Sequence, residues 1–286
     1  MNIVLFALTG IGNTVLRALA EIGQAPVLVV TRKETGVYPH YGQDQLSVDA
    51  SRLDIPILIG EEGEREAARL RPDVIFSATY HRLISNDVAS SAKHAFNLHP
   101  SLLPSYPGKN PFYWVLINGE HVTGVSIHRL IEKFDMGEIV FQKKMKIRPD
   151  ETQGSLRRSL ANLAGEATKE FFGRLEAGDI AASLPGPTSE KGRFGQVTES
   201  DRIVDLKGNA ETICRQIRAL TPWPRATLQE TGSTVREVIL IDQATSSNTP
   251  PGTVLYADKA AVRVRVADAE LVFSIDSGTT ASESYS

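Results

Sequence analysis

The first hundred residues alternate between short, continuous apolar runs and stretches with helical periodicity. Helical patterns lie near residues 12–23, 61–70 and 83–93. The apolar runs between and around them are NIVLFAL (2–8), APVLVVT (25–31), IPILIG (55–60), PDVIFSAT (72–79) and HAFNLHP (94–100). Strands that are apolar throughout and separated by helices are typical of a parallel sheet covered on both faces. The alternation therefore predicts an α/β fold with a doubly wound, mainly parallel sheet.

The same unit continues beyond this region. Residues 110–120 are predicted to be helical, residues 121–130 and 138–148 alternate like strands, and residues 154–177 form a long amphipathic helix.

The character of the chain then changes. Residues 179–200 are rich in Gly, Pro and Ser and lack periodicity, which is typical of a linker. One helix near 209–220 precedes several β-rich segments, whose spacing favours a small antiparallel barrel or sandwich. We therefore predict an α/β domain over 1–180, a linker over 181–200 and a barrel-like domain over 201–286.

The net charge disfavours some partners, and the cysteine content excludes some kinds of site. The net charge of −3 provides no general basic field for nucleic acid. The single cysteine, Cys214, excludes an intrachain disulfide and a zinc cluster of thiolates. No apolar run is long enough to span a bilayer, and the N-terminal run lacks the basic residues of a signal peptide. We expect a cytoplasmic protein with no membrane partner.

A glycine motif after the first strand, GIGNTV (10–15), begins like a dinucleotide-binding fingerprint. Val15 replaces the third glycine, and the second strand ends in VVTRK without the acidic residue that binds a ribose hydroxyl. We interpret the glycines as a tight turn from strand to helix.

Asn97 and His99 lie at the carboxyl end of a predicted central strand, where open α/β sheets bind their ligands. Residues two apart on a strand point to the same side, so the two side chains converge. Pro100, Pro104 and Pro107 restrict the loop that follows. This spacing alone fits a catalytic pair and a pair that satisfies backbone groups at a strand end equally well.

A third polar residue, Asp135, lies in FDMGEIV (134–140), in a turn before a β-rich run. A carboxylate near a histidine favours the protonated imidazolium, although an Asp in a D-x-G turn usually serves the turn itself. The two interpretations differ in whether Asp135 reaches His99.

Three motifs, NLHPSLLP (97–104), TGVSIH (123–128) and FDMGEIV, closely resemble signatures of the folate-dependent formyltransferases. RALTPWPRA (218–226) and PPGTVL (250–255) resemble the C-terminal barrel found in methionyl-tRNA formyltransferase and some amino-sugar formyltransferases. The resemblance covers nearly the whole chain. It implies the formyltransferase fold, an OB-like C-terminal barrel and formyl transfer from 10-formyltetrahydrofolate to an amine, without a metal.

The resemblance also implies a catalytic triad of Asn97, His99 and Asp135. Asn97 and a protonated His99 would donate hydrogen bonds to the oxyanion of a tetrahedral intermediate, and Asp135 would keep His99 charged and accept the amine proton. The implied folate contacts are His81, Arg82, Leu83, Lys109, Ile131, Glu132, Lys133 and Phe134. Lys109 suits the anionic glutamate tail of folate, although a solvated surface charge explains Arg82 and Lys109 as well.

The acceptor amine is less constrained. The region corresponding to the basic insertion of methionyl-tRNA formyltransferase, residues 31–49, carries Glu34, Asp44 and Asp49, which disfavours tRNA. IFSATYHRLIS (75–85) and INGEHVTGVSIHRL (117–130) resemble enzymes that formylate nucleotide-linked amino sugars. We therefore expect a small-molecule amine acceptor, most simply a nucleotide-linked amino sugar.

The alternatives are methionyl-tRNA, an amino acid or hydroxyornithine in siderophore or peptide synthesis, and a 10-formyltetrahydrofolate hydrolase that uses water. A non-catalytic binding module fits an intact triad poorly. The β-rich second domain is a candidate homodimer surface.

Overall fold

The computed structural model describes residues 1–33, 45–180, 184–186, 194–229, 231–242 and 249–276. The chain divides into two compact units. The first comprises Met1–Phe112, His121–Arg148 and Ser155–Gly195, and the second comprises Tyr113–Glu120, Pro149–Gly154 and Gln196–Ser286. None of the helices in these described parts is long and apolar enough to cross a membrane.

The first unit is built on a seven-stranded sheet with strands β1 (Ile3–Ala7), β2 (Leu28–Thr31), β3 (Ile57–Ile59), β4 (Val74–Ala78), β5 (His94–His99), β6 (Val122–Arg129) and β7 (Ile139–Lys146). The strand order is β3-β2-β1-β4-β5-β6-β7. Strands β1 to β5 pair in parallel, whereas β6 and β7 are antiparallel to their neighbours. The predicted α/β class and the mainly parallel sheet are confirmed.

The helices of this part of the chain are α1 (Ile11–Glu21), α2 (Leu46–Arg52), α3 (Gly60–Leu70), α4 (Asn86–Ala89), α5 (Pro111–Ile117) and α6 (Gln153–Glu176). Helix α1 begins directly after Gly10, which has a φ of 108°, as expected for a glycine in a tight turn, whereas Gly12 already lies in the helix. Phe171 of α6 packs edge-on against Phe96 of β5, with ring centroids 5.0 Å apart. This buried contact anchors the strand that carries Asn97 and His99.

The helix predicted over 83–93 is wrong in length, since only Asn86–Ala89 is helical. The hydroxyls of Ser90 and Ser91 donate to the carbonyls of Asn86 and Val88. Such side-chain bonds to the backbone compete with continuation of a helix. The short α4 therefore reflects serine chemistry that hydrophobic periodicity does not register.

Two of the three acidic residues in the region 31–49, Glu34 and Asp44, lie outside the described residues. Asp49 is described and buried in α2. Its carboxylate accepts a hydrogen bond from Asn13 at 2.6 Å and pairs with Arg17 at 2.6 Å. Its charge is thus balanced within the first unit.

The second unit contains α7 (Glu199–Arg202), β8 (Ile203–Val204), α8 (Ala210–Leu220), β9 (Thr227–Leu228), β10 (Val235–Asp242), β11 (Val254–Ala257), β12 (Ala261–Arg265) and β13 (Glu270–Ile275). The last four strands form an antiparallel sheet in the order β10-β13-β12-β11. The predicted β-rich domain with antiparallel strands is confirmed for these four strands, whereas the short β8 and β9 pair in parallel.

Candidate active site

Asn97 and His99 lie within the last three residues of β5, which pairs in parallel with β4 and antiparallel with β6. Asn97 is directly opposite His128 in β6, and the Asn97 Nδ2 atom lies 3.0 Å from His128 Nε2. The β6–β7 register shifts between Ile127 and His128. Irregularities of this kind redirect side chains next to functional sites. The strand pairing therefore adds a second histidine to the predicted pair.

Asp135 is brought to the same place by the turn between β6 and β7. It adopts a positive φ of 58°, and its Oδ1 atom lies 3.4 Å from His99 Nδ1 and 3.7 Å from His128 Nε2. The Gly108 N–H donates to Oδ2 at 2.8 Å. Asp135, His99 and His128 are all buried. Asp135 therefore reaches His99, which a turn residue alone would not need to do.

The D-x-G spacing has a steric reason. A Cβ atom on Gly137 would lie 1.8 Å from the carbonyl oxygen of Arg129. Real side chains never approach a backbone oxygen that closely, so only glycine lets the turn close against the end of β6. The close approach is what directs Asp135 back toward the strand ends.

The environment of Asp135 keeps it ionised. Burial alone would raise the pKa of this carboxyl, but the charges and hydrogen bonds of His99 and His128 hold the pKa well below its usual range. The cluster therefore provides an ionised carboxylate as an acceptor in a buried setting.

The hydrogen bonds define where the imidazole protons lie. His99 Nε2 lies 2.9 Å from the Tyr106 carbonyl oxygen, which can only accept, so Nε2 carries a proton and Nδ1 faces Asp135. His128 Nδ1 similarly donates to the Arg129 carbonyl at 2.9 Å. Its Nε2 atom can accept from Asn97 when the ring is neutral and can donate to Asp135 when it is protonated.

The loop after His99 is held by polar contacts as well as by prolines. The buried hydroxyl of Ser126 in β6 donates to the Ser101 carbonyl at 2.7 Å and accepts from Leu103 N at 2.9 Å. Gln142 of β7 donates to the same hydroxyl at 2.9 Å and to the Leu103 carbonyl at 2.7 Å. The loop is thus bonded to two strands of the sheet.

The residues expected to contact folate lie on two segments beside this cluster, apart from Lys109. His81, Arg82 and Leu83 follow β4, whose last residues pair with β5 near Leu98. Ile131, Glu132, Lys133 and Phe134 lead directly to Asp135, and all seven residues are exposed. Tyr80 and Ile84, which flank the first segment, belong to one hydrophobic cluster. Leu130, which precedes the second segment, packs against the same hydrophobic cluster.

Two of the predicted folate residues have structural contacts of their own. The Arg82 guanidinium lies 3.5 Å from carboxylate oxygens of both Glu61 and Glu64 in α3. Lys109 is exposed, and its backbone N–H donates to the Phe194 carbonyl at 2.9 Å. A purely structural role therefore accounts for Arg82 better than for Lys109.

Two models of known protein families match the chain. A family model described as formyl transferase matches residues 13–171, and one described as formyl transferase, C-terminal domain, matches residues 196–275. The chain belongs to the formyltransferase family. The first match spans more than half of the chain and includes every residue of the cluster.

Solved structures resemble this formyltransferase over almost its full length. An N-formyltransferase from Helicobacter canadensis, in complex with folinic acid and dTDP-3-aminofucose, has a TM-score of 0.76 at 18% identity and covers 96% of this chain and 99% of its own. WlaRD, described as a sugar 3N-formyltransferase and solved with dTDP and 5-N-formyl-THF, has a TM-score of 0.73 at 18% identity, covering 98% and 99%. At these identities the likeness establishes the fold.

A third relative differs in extent. HypX from Aquifex aeolicus, in complex with tetrahydrofolic acid, has a TM-score of 0.65 at 18% identity over 94% of this chain, but the match covers only 43% of HypX. The formyltransferase fold therefore also occurs as part of a much longer protein.

His128 is the residue that the sequence analysis did not assign. It ends the TGVSIH motif, so the motif was noticed while its last residue received no role. A signal in the sequence was available: if the predicted strands around Asn97 and His128 pair in antiparallel fashion, His128 lies opposite Asn97 or one of its neighbours.

Proposed function

We propose that this formyltransferase transfers a formyl group from 10-formyltetrahydrofolate to the primary amine of a nucleotide-linked amino sugar. The observation that carries the proposal is the cluster at the carboxyl end of β5, in which the buried His99 and Asp135 face each other and the half-buried Asn97 contacts His128. An amide, an imidazole and an ionised carboxylate together supply hydrogen-bond donors and a base.

When bound, 10-formyltetrahydrofolate supplies an electrophilic formyl carbon whose oxygen gains negative charge as the amine attacks. Asn97 directs one of its two N–H groups toward His128, which leaves the second for that oxygen. His99, whose Nδ1 atom faces Asp135 at 3.4 Å, would as an imidazolium place positive charge and a second donor beside the same oxygen. Asp135, kept ionised by its neighbours, accepts the amine proton directly or through water. Collapse of the tetrahedral intermediate then breaks the bond between the formyl carbon and N10, and N10 takes up a proton as tetrahydrofolate leaves.

The surface beside the cluster suits a folate. Leu83, Ile131 and Phe134 leave 39%, 43% and 36% of their surface exposed, an apolar set that an aromatic pterin would cover. Lys109 offers an exposed ammonium for the glutamate tail. We expect Phe134→Ala to raise the KM for the folate several-fold while kcat changes little, because this side chain contributes binding area and no chemistry. An equal loss in kcat would contradict this assignment.

The amino-sugar acceptor is supported by relatives that match end to end. Two of them carry dTDP-linked ligands or dTDP beside a folate, and both are covered over 99% of their length. A structure from Mycobacterium tuberculosis, described as a likely sugar N-formyltransferase, matches at a TM-score of 0.63 and 21% identity. These identities are low, so the sugar and its nucleotide belong to the proposal.

The decisive experiment measures tetrahydrofolate production by absorbance with 10-formyltetrahydrofolate and separate amines: dTDP- and UDP-linked amino sugars, methionyl-tRNA and hydroxyornithine. Mass spectrometry of the acceptor verifies the added formyl group. We expect turnover with a nucleotide-linked amino sugar. Turnover with methionyl-tRNA or hydroxyornithine alone would overturn the acceptor, and formate release without any amine would indicate a hydrolase.

A further inference from the structure

Three described residues from the stretch predicted to be a linker belong to the first unit and contact the loops of the active site. They are Leu184, Gly186 and Phe194. The Leu184 carbonyl accepts a hydrogen bond from Ile139 N, at the start of β7, at 3.0 Å. These positions therefore have a structural attachment that their Gly-rich and Pro-rich composition does not predict.

Gly186 packs against the turn that carries Asp135. A Cβ atom at this position would lie 2.2 Å from the Gly137 carbonyl oxygen and 2.4 Å from the Met136 carbonyl oxygen. Both oxygens belong to the two residues that follow Asp135. The backbone of Gly186 thus borders the Asp135 turn at a distance that excludes any side chain.

Phe194 packs against the other loop. Its N–H donates to the Pro107 carbonyl at 2.9 Å, and its carbonyl accepts from Lys109 N at 2.9 Å, which forms a β-bridge across Gly108. Its ring stacks on Tyr106, with centroids 4.9 Å apart and an interplanar angle of 25°. Phe194 therefore contacts the segment from Tyr106 to Lys109 through both its backbone and its ring.

That segment carries the backbone partners of the cluster. The Tyr106 carbonyl accepts from His99 Nε2 at 2.9 Å, and the Gly108 N–H donates to Asp135 Oδ2 at 2.8 Å. Tyr106 adopts a positive φ of 59°, a conformation that a non-glycine residue keeps only when its surroundings hold it. The stacked ring and the bridge of Phe194 are contacts of that kind.

We infer that Phe194 and Gly186 are positioning residues that set the orientation of His99 and Asp135 from outside the cluster. Phe194 holds the Tyr106 carbonyl and the Gly108 N–H in place, and Gly186 supports the Asp135 turn. The effect of Phe194 and Gly186 on catalysis rests on the proposed function, whereas their effect on the orientation of His99 can be tested on the folded protein without any substrate.

The test compares Phe194→Ala, Phe194→Leu and Phe194→Tyr with Gly195→Ala, the matched control, since a Cβ atom on Gly195 meets nothing within 4 Å. We expect Phe194→Ala to lower kcat about tenfold to a hundredfold with the folate KM within about threefold, because small displacements of reacting groups have effects of this size. Phe194→Leu retains apolar bulk without stacking and should be intermediate, whereas Phe194→Tyr and Gly195→Ala should remain near wild type.

A second readout separates this inference from the proposed function. In isotope-labelled histidine NMR, the His99 ring resonances, assigned by their loss in His99→Gln, should shift in Phe194→Ala and Gly186→Ala and remain in place in Gly195→Ala. If the wild-type protein transfers formyl to no amine, the proposed function is wrong, but the NMR measurement still tests the positioning role. Unchanged His99 resonances and unchanged kcat in folded Phe194→Ala, or equal losses in Gly195→Ala, would overturn the positioning role.

Discussion

Ser126 provides the sharpest test of how the loop after His99 is held in place. Its hydroxyl uses its full hydrogen-bonding capacity, donating to the Ser101 carbonyl and accepting from Leu103 N and from Gln142. Ser126→Ala removes all three bonds at once. The Leu103 N–H and the Ser101 carbonyl each lose a partner in a buried environment.

The magnitude follows from those losses. A buried polar group left without a partner costs about 1–3 kcal/mol, and two are affected here, so we expect Ser126→Ala to lower the free energy of unfolding by about 2–4 kcal/mol after partial relaxation. Ser101 also donates to the Tyr106 carbonyl at 3.2 Å, which links the loop to the carbonyl that orients His99. We therefore expect kcat to fall by about tenfold or more as well.

Thr123 offers a control on the same strand. Its hydroxyl is buried and has no hydrogen-bond partner in the described part of the chain. Thr123→Val should leave the free energy of unfolding within about 1 kcal/mol of wild type, on the stabilising side, because it replaces an unsatisfied hydroxyl with a methyl group. Urea titration gives the free energy of unfolding of both variants, and the formyl-transfer assay gives their kcat. Equal stabilities for Ser126→Ala and Thr123→Val would refute the reasoning.

Three further predictions address the cluster. Asn97→Ala should reduce kcat about a hundredfold to a thousandfold in the tetrahydrofolate assay, as is usual when a donor to a developing oxyanion is lost, and near-normal turnover would remove Asn97 from the mechanism. Because the pKa of Asp135 is lowered on folding, the ionised Asp135 stabilises the folded state fully above about pH 4, and this stabilisation is lost as the pH falls further. Asp135→Asn should therefore make the free energy of unfolding, measured by urea titration at several pH values, less dependent on pH in the acid range. An unchanged dependence on pH would contradict the lowered pKa. Gly137→Ala should fold poorly, because its Cβ atom would meet the Arg129 carbonyl, whereas Gly173→Ala in helix α6, with open space around it, should be neutral or stabilising by up to about 1 kcal/mol in thermal unfolding.

The strands were predictable because their apolar runs are long and uninterrupted, and all seven in the first unit lie within or overlap the predicted runs. Helix α2 was missed because it is short and follows residues without periodicity. Convergence of Asn97 and His99 could be predicted from the period of a strand alone. The approach of Asp135 to His99 could not, because it depends on a turn closing through Gly137; only the family resemblance pointed to it.

The remaining parts of the site depend on pairing between distant segments. The register that places His128 opposite Asn97 is decided by the whole β5–β6 ladder, and no local pattern specifies it. The contact of Phe194 with Tyr106 joins residues far apart in the chain, and their flanking composition suggests only a loop. Composition identifies where a chain lacks regular structure but does not show what such a segment touches.

The division of the chain into two interleaved units limits how the protein can be shortened. Tyr113–Glu120 and Pro149–Gly154 belong to the second unit, although they lie between strands and helices of the first. Gln153 donates a buried hydrogen bond to the Ala219 carbonyl at 2.8 Å. A truncation after Gly195 would leave both segments behind without their partners. Domain swaps among relatives must therefore exchange three separate stretches together, and proteolytic removal of the residues after Gly195 would leave two segments of the second unit attached to the first.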